Sequence, residues 1–185
     1  MLSLLKTLGA LVGVVIIAYA AVVGYYAWHL RTITDVSEYQ ELLGNWEPTF
    51  IQHFPGALPA HAANVRVSYF PGFMQGGAHL QLRVQLPPEE IAGEEERLSQ
   101  AAVVRFTSGK RPPANAESGA VEDMPLPRFH TGDQGGGMVF PEGYTIYVLS
   151  ARHGDTYGFP WNHGSTRGIA VSRSRSELVY WAESW

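Results

Sequence analysis

At 185 residues, 45% of them hydrophobic, the chain has room for one domain plus a short anchoring segment. Residues 32–185 hold eleven basic and all 17 acidic side chains, a net charge of −6 without any cluster of Lys and Arg, which argues against a nucleic-acid partner. Cysteine is absent, which excludes thiol catalysis, iron–sulfur clusters and Cys-ligated zinc; no cofactor is expected. Arg outnumbers Lys eleven to two, a usage that suits a GC-rich bacterial genome.

The first predicted element is a transmembrane helix, with a span at about 8–28 inside an N-terminal unit of residues 1–31. Leu8 to Trp28 carries no charge, and 21 residues at ~1.5 Å each cover about 31 Å, the thickness of a bilayer's hydrocarbon core. Ala18-Tyr19-Ala20 has the small-x-small form of a signal-peptidase site. The apolar run continues well past it, however, to Tyr25, Tyr26 and Trp28, whose rings favour the headgroup boundary. A retained single-pass signal-anchor is therefore expected over a cleaved signal. Gly9 and Gly13 are four apart, as are Ala20 and Gly24, a spacing that lets membrane helices dock closely. Lys6 and Arg31 nearly balance across the span. The short N-terminal tail favours a cytoplasmic N-terminus, with residues 32–185 on the periplasmic (extracytoplasmic) side of a bacterial cytoplasmic (inner) membrane.

Residues 32–46 predict a short amphipathic helix, with Asp35 and Glu38 as a capping box, Val36, Tyr39, Leu42 and Leu43 on one face, and Gly44 ending it. Pro55 and Pro59 predict an extended connector over 50–64. Residues 65–70 and 79–86 alternate as two strands of a hairpin, with Leu80, Leu82, Val84 and Leu86 on one side. Gln81, Arg83 and Gln85 then face water or a polar partner. The stretch from Pro88 through Phe106 reads as helix, with Ile91, Leu98 and Ala102 as a thin apolar stripe and Glu94-Glu95-Glu96 as a solvated face. Residues 107–137 are rich in Pro, Gly, Ala and Ser and read as a long loop, either mobile or laid along a partner. Strand character returns at 144–152, 168–172 and 177–183, with Arg173–Ser176 as a hairpin turn. The expected fold of residues 32–185 is therefore α+β, a largely antiparallel sheet with one or two helices.

Seven histidines raise the question of a metal. His130 with Asp133, His153 with Asp155, and His163 are candidate ligands from separate loops, but no two histidines stand at ligand-pair spacing and no His-Glu-x-x-His occurs. Ser165 after His163 lacks a Gly-x-Ser-x-Gly elbow, and the "GDQGGG" segment has neither the preceding strand nor the following helix of a phosphate loop. Aromatic residues crowd the C-terminus, with Trp161, Tyr180, Trp181 and Trp185 beside Tyr157 and Phe159. Tyr180 and Trp181 point to opposite faces of one strand. Either loops or the helix cover the second face, or these rings form a docking patch for a partner.

The strings "HFPGALPAHAANVRVSYFPGFMQGGAHLQLRVQLPPEEI" and "WNHGSTRGIAVSRSRSELVYWAESW" resemble short bacterial envelope proteins with one membrane anchor and no assigned function. The resemblance implies an envelope location and transfers no site residue. The leading expectation is a non-enzymatic, single-pass protein whose outer domain binds or braces other membrane or envelope proteins, as an accessory subunit of a larger complex in the lipid bilayer. The alternatives are an anchored metal-assisted hydrolase using His130, His153 and His163, and a domain binding a small ligand or an envelope polymer.

Overall fold

A computed structural model of the chain describes residues 2–73, 77–110, 124–132, 138–152 and 163–185. The N-terminal stretch, charge-free from Leu8 to Trp28, lies in one helix, α1 (Leu2–His29). Within it Leu11–His29 is long and apolar enough, by length and composition, to cross a membrane. Its large side chains are exposed, Ile17 and Tyr19 at 71% each, and Arg31 stacks its guanidinium over Trp28, 4.2 Å from the ring centre. The chain divides into two units, Met1–Arg31 and Thr32–Trp185.

The second unit is α+β, built on six antiparallel strands. In chain order these are β1 (Ala63–Phe70), β2 (Ala78–Gln85), β3 (Val104–Thr107), β6 (Thr145–Arg152), β7 (Ser165–Ser172) and β8 (Glu177–Ser184), arranged β1-β2-β8-β7-β6-β3. A separate two-stranded ribbon pairs β4 (Arg128–Phe129) with β5 (Met138–Val139). Ile33 and Tyr69 exchange both backbone hydrogen bonds (2.8 and 2.9 Å), so the segment leaving α1 runs beside the edge strand β1. Ser176, at φ 53°, closes the turn between β7 and β8 in the left-handed conformation.

Each sheet face has its own core. Leu80, Leu82 and Val84 of β2 join Leu178, Tyr180 and Ala182 of β8 on the first face. That face is covered by Tyr39 and Leu42 of α2 (Tyr39–Gly44), Ile51 of α3 (Pro48–Ile51), Phe54, and Ile91 and Leu98 of α4 (Pro88–Ala101). On the second face Ile146, Val148, Ala170, Val179 and Trp181 pack against Met124, Phe129, Phe140 and Tyr144.

Three expectations are corrected. The helix expected over 32–46 is a 3₁₀ turn at Val36–Glu38 followed by α2, because Thr32–Thr34 is drawn into the bridge to β1; Asp35 still caps, accepting from Ser37 N at 2.9 Å. The 50–64 connector begins with the end of α3, which Glu47 caps through Phe50 N at 3.0 Å. The helix read through Phe106 stops at Ala101, and Val104 and Phe106 enter the sheet as alternating buried residues of β3. Within 107–137, the described residues 124–132 lie on the protein's own second face, where Phe129 is 6% exposed.

Candidate functional site

The polar side of β2 organises the second face. Gln81 is fully buried, and its side-chain carbonyl accepts from His130 N (2.7 Å), Thr131 N (2.9 Å) and Thr131 Oγ1 (2.9 Å). Its amide nitrogen donates to Arg128 O at 2.8 Å. One side chain thus satisfies backbone groups at Arg128, His130 and Thr131, tying the short strand β4 and the residues after it to the sheet. Opposite on β8, Glu183 Oε1 accepts from Arg128 N (3.1 Å) and lies 3.3 Å from His130 Nε2, with Glu183 only 5% exposed. The partner expected for Gln81 and Arg83 is therefore this chain's own 128–131 segment.

These bonds lay the His130 ring flat on His79, centroids 3.6 Å apart and planes within 7°. His79, next to Gln81 on the same side of β2, meets Ser68 Oγ at 3.0 Å and stacks on Phe70, centroids 6.1 Å apart. Above this imidazole floor opens a cleft of about 690 Å³, with Thr32, Thr34, Arg128, Ser184 and Trp185 among its walls. Gly77 forms part of the wall; a Cβ there would sit 2.6 Å from Ser184 O. Burial, then the neighbouring His130 and Arg128, push the His79 imidazole down to about 3, so the floor is a neutral ring at neutral pH.

Beside the cleft a second polar cluster is sealed inside. Glu177, 3% exposed, lies 3.3 Å from Arg83 Nε and accepts from Gln85 Nε2 (3.2 Å) and from the Tyr144 hydroxyl. The Arg83–Glu177 contact is an ion pair without the alignment of a hydrogen bond, and Arg83 Nη1 donates to Thr131 O at 3.1 Å. Removing the carboxylate strands a buried cation and a buried phenol. Glu177→Ala is expected to lower stability by about 3 kcal/mol, read from urea unfolding followed by tryptophan fluorescence. A loss within experimental error would show that the cluster is wet.

Of the residues singled out in the sequence, His130 and Trp185 reach the cleft; Trp185 N also donates to Gly164 O at 2.9 Å. His163 is exposed at φ 62°, while His153, Asp133, Asp155 and Trp161 lie outside the described residues. No group of three His, Asp or Glu that could hold a metal occurs among the described residues. The stacked pair is itself unsuited, since ring nitrogen lone pairs lie in the ring planes and two parallel planes 3.6 Å apart do not converge on one ion. Tyr180 (8% exposed) and Trp181 (fully buried) belong to the two cores and present no ring for a partner, which corrects the docking-patch expectation for that pair. In α1, a Cβ on Gly9, Gly13 or Gly24 would meet nothing within 4 Å.

Sequence reasoning passed over His79, Ser68, Arg128 and Glu183. The available signal was a row of polar residues, His79, Gln81 and Arg83, alternating along a strand whose other side is wholly apolar, and a second acid–aromatic alternation, Glu177 and Glu183 around Trp181. Comparison with protein-family models, with curated proteins and with solved structures finds no match.

Proposed function

We propose that the chain is a single-pass membrane protein that holds a ligand-binding domain, residues 32–185, on the extracytoplasmic side of a bacterial cytoplasmic membrane. One observation carries the proposal: the second face ends in an open cleft of about 690 Å³, within the size range of small-molecule sites, over two stacked imidazoles fixed from below. Binding fits this floor better than turnover does, because Glu183 and His130 are occupied in holding each other and Ser68 is 3% exposed. The apolar length of α1, its terminal Tyr25, Tyr26 and Trp28, and a short tail bearing Lys6 support the anchor and its orientation. The open positions at Gly9, Gly13 and Gly24, with Ala20, support other membrane proteins as partners, for which the domain acts as an accessory binding subunit.

Native mass spectrometry of the full chain, extracted from its own membranes in mild detergent, tests the binding role. A one-to-one small-molecule adduct is expected, and it should be lost in Thr34→Trp, which fills the mouth of the cleft. A wild-type chain at its bare mass of 20.3 kDa would contradict it.

A further inference from the structure

We infer that the ligand presents a phosphate group to this cleft, a conclusion that rests on the binding role proposed above. Residues 32–185 carry a net charge of −6, so a site for an anion needs a local reason. The cleft supplies one. Among its described lining residues two side chains are fully charged, Arg128 and Glu183, and they differ sharply in access. Glu183 is buried, with Oε1 met by Arg128 N and His130 Nε2. The Arg128 side chain is exposed, and its charge helps hold the neighbouring His79 uncharged. The charged side chain within reach of an incoming molecule is therefore the Arg128 guanidinium.

The remaining polar groups choose among anions. Hydroxyls come from two separate walls, Thr32 and Thr34 from the segment beside β1 and Ser184 from the end of β8, and the Arg128 guanidinium adds a third. A planar carboxylate, with two oxygens in one plane, is satisfied by one guanidinium fork. A tetrahedral phosphate offers three terminal oxygens in different directions and uses donors from several walls at once. Phe70 and Trp185 give the cleft apolar surface for the organic part that carries the phosphate. Such a group has two sources, a phospholipid headgroup or a soluble phosphate ester.

The full chain, with ¹⁵N-labelled histidines in dodecyl maltoside, separates these outcomes by NMR of the His79 and His130 rings. Sodium phosphate is expected to shift both rings saturably where sodium chloride at equal ionic strength does not. Arg128→Gln should weaken the effect at least tenfold while leaving the unfolding midpoint unchanged, since the Arg128 bonds to Gln81 and Glu183 use only its backbone. Dihexanoyl phosphatidylglycerol, kept below its micelle concentration, binding tenfold tighter than phosphate supports a lipid source; equal or weaker binding supports a soluble ester. No saturable shift with phosphate or the short-chain lipid overturns the phosphate assignment. If choline chloride or glucose then shifts the rings, the cleft still binds and only the phosphate is wrong; if neither does, the binding role falls as well.

Discussion

Gly168→Ala is expected to destabilise residues 32–185 by more than about 4 kcal/mol, a large share of the roughly 5–15 kcal/mol that holds a domain folded. Gly168 lies in the middle of β7, paired with Val148 on one side and Trp181 on the other. A Cβ there would overlap the backbone oxygen of Tyr147 and sit 2.6 Å from Cζ2 of Trp181. Neither neighbour can give way. The Tyr147 oxygen belongs to the adjoining strand, and the Trp181 ring is fully buried, edge-on to Phe140 at 6.2 Å. Relief of the overlap requires opening the β6–β7 ladder or expelling the largest side chain of the second core. The check is urea unfolding of the full chain in micelles by tryptophan fluorescence. A variant within 1 kcal/mol of wild type would mean that Trp181 does not cross β7 as described.

Acid should act almost as strongly. His79 is pushed down to about 3, chiefly by burial and then by His130 and Arg128. His53 is pushed down to about 4, again chiefly by burial, although its Nε2 donates to Trp181 O at 2.9 Å. Both imidazoles titrate near 6.5 once the chain unfolds. Below pH 6.5 the unfolded state therefore binds protons that the native state refuses, and stability falls as pH falls through the window from 6.5 towards 3. At pH 4.5 each histidine should remove about 2–3 kcal/mol relative to pH 7.5. Unfolding midpoints measured at these two pH values test the loss. His79→Asn, which keeps a neutral side chain there, should remove about half of the pH dependence.

The first face of the sheet was legible because its signal is local. Leu80, Leu82 and Val84 alternate within a single strand, and Ile91 and Leu98 are two turns apart on one helix. The second face was hidden because its cover has no period. Met124 and Phe129 sit in a Pro- and Gly-rich stretch, and the backbone on either side of Phe129, at Arg128, His130 and Thr131, is held by the side chain of Gln81, almost 50 positions away. Long-range side-chain-to-backbone bonds leave no trace in spacing. For the same reason His130 could be marked in the sequence as interesting while its partners could not. His79 is 51 positions before it and Glu183 is 53 after, and only the register of β2 against β8, which sets His79 opposite Glu183, brings the three together. β3 was misread because Val104 and Phe106 follow a strong helix with only two residues between.

The claim on which the rest depends is that the cleft has a floor of stacked imidazoles in which burial keeps His79 neutral. It is tested most directly by the pH titration of the His79 ring in the full-length protein, followed by NMR with ¹⁵N-labelled histidine and assigned through His79→Asn. The account predicts a ring that stays neutral well below pH 5, with an apparent pKa of about 3. A His79 titrating near 6.5, like an imidazole in water, would mean that the ring is solvated, that His130 does not cover it, and that the cleft lacks the floor on which its binding role stands.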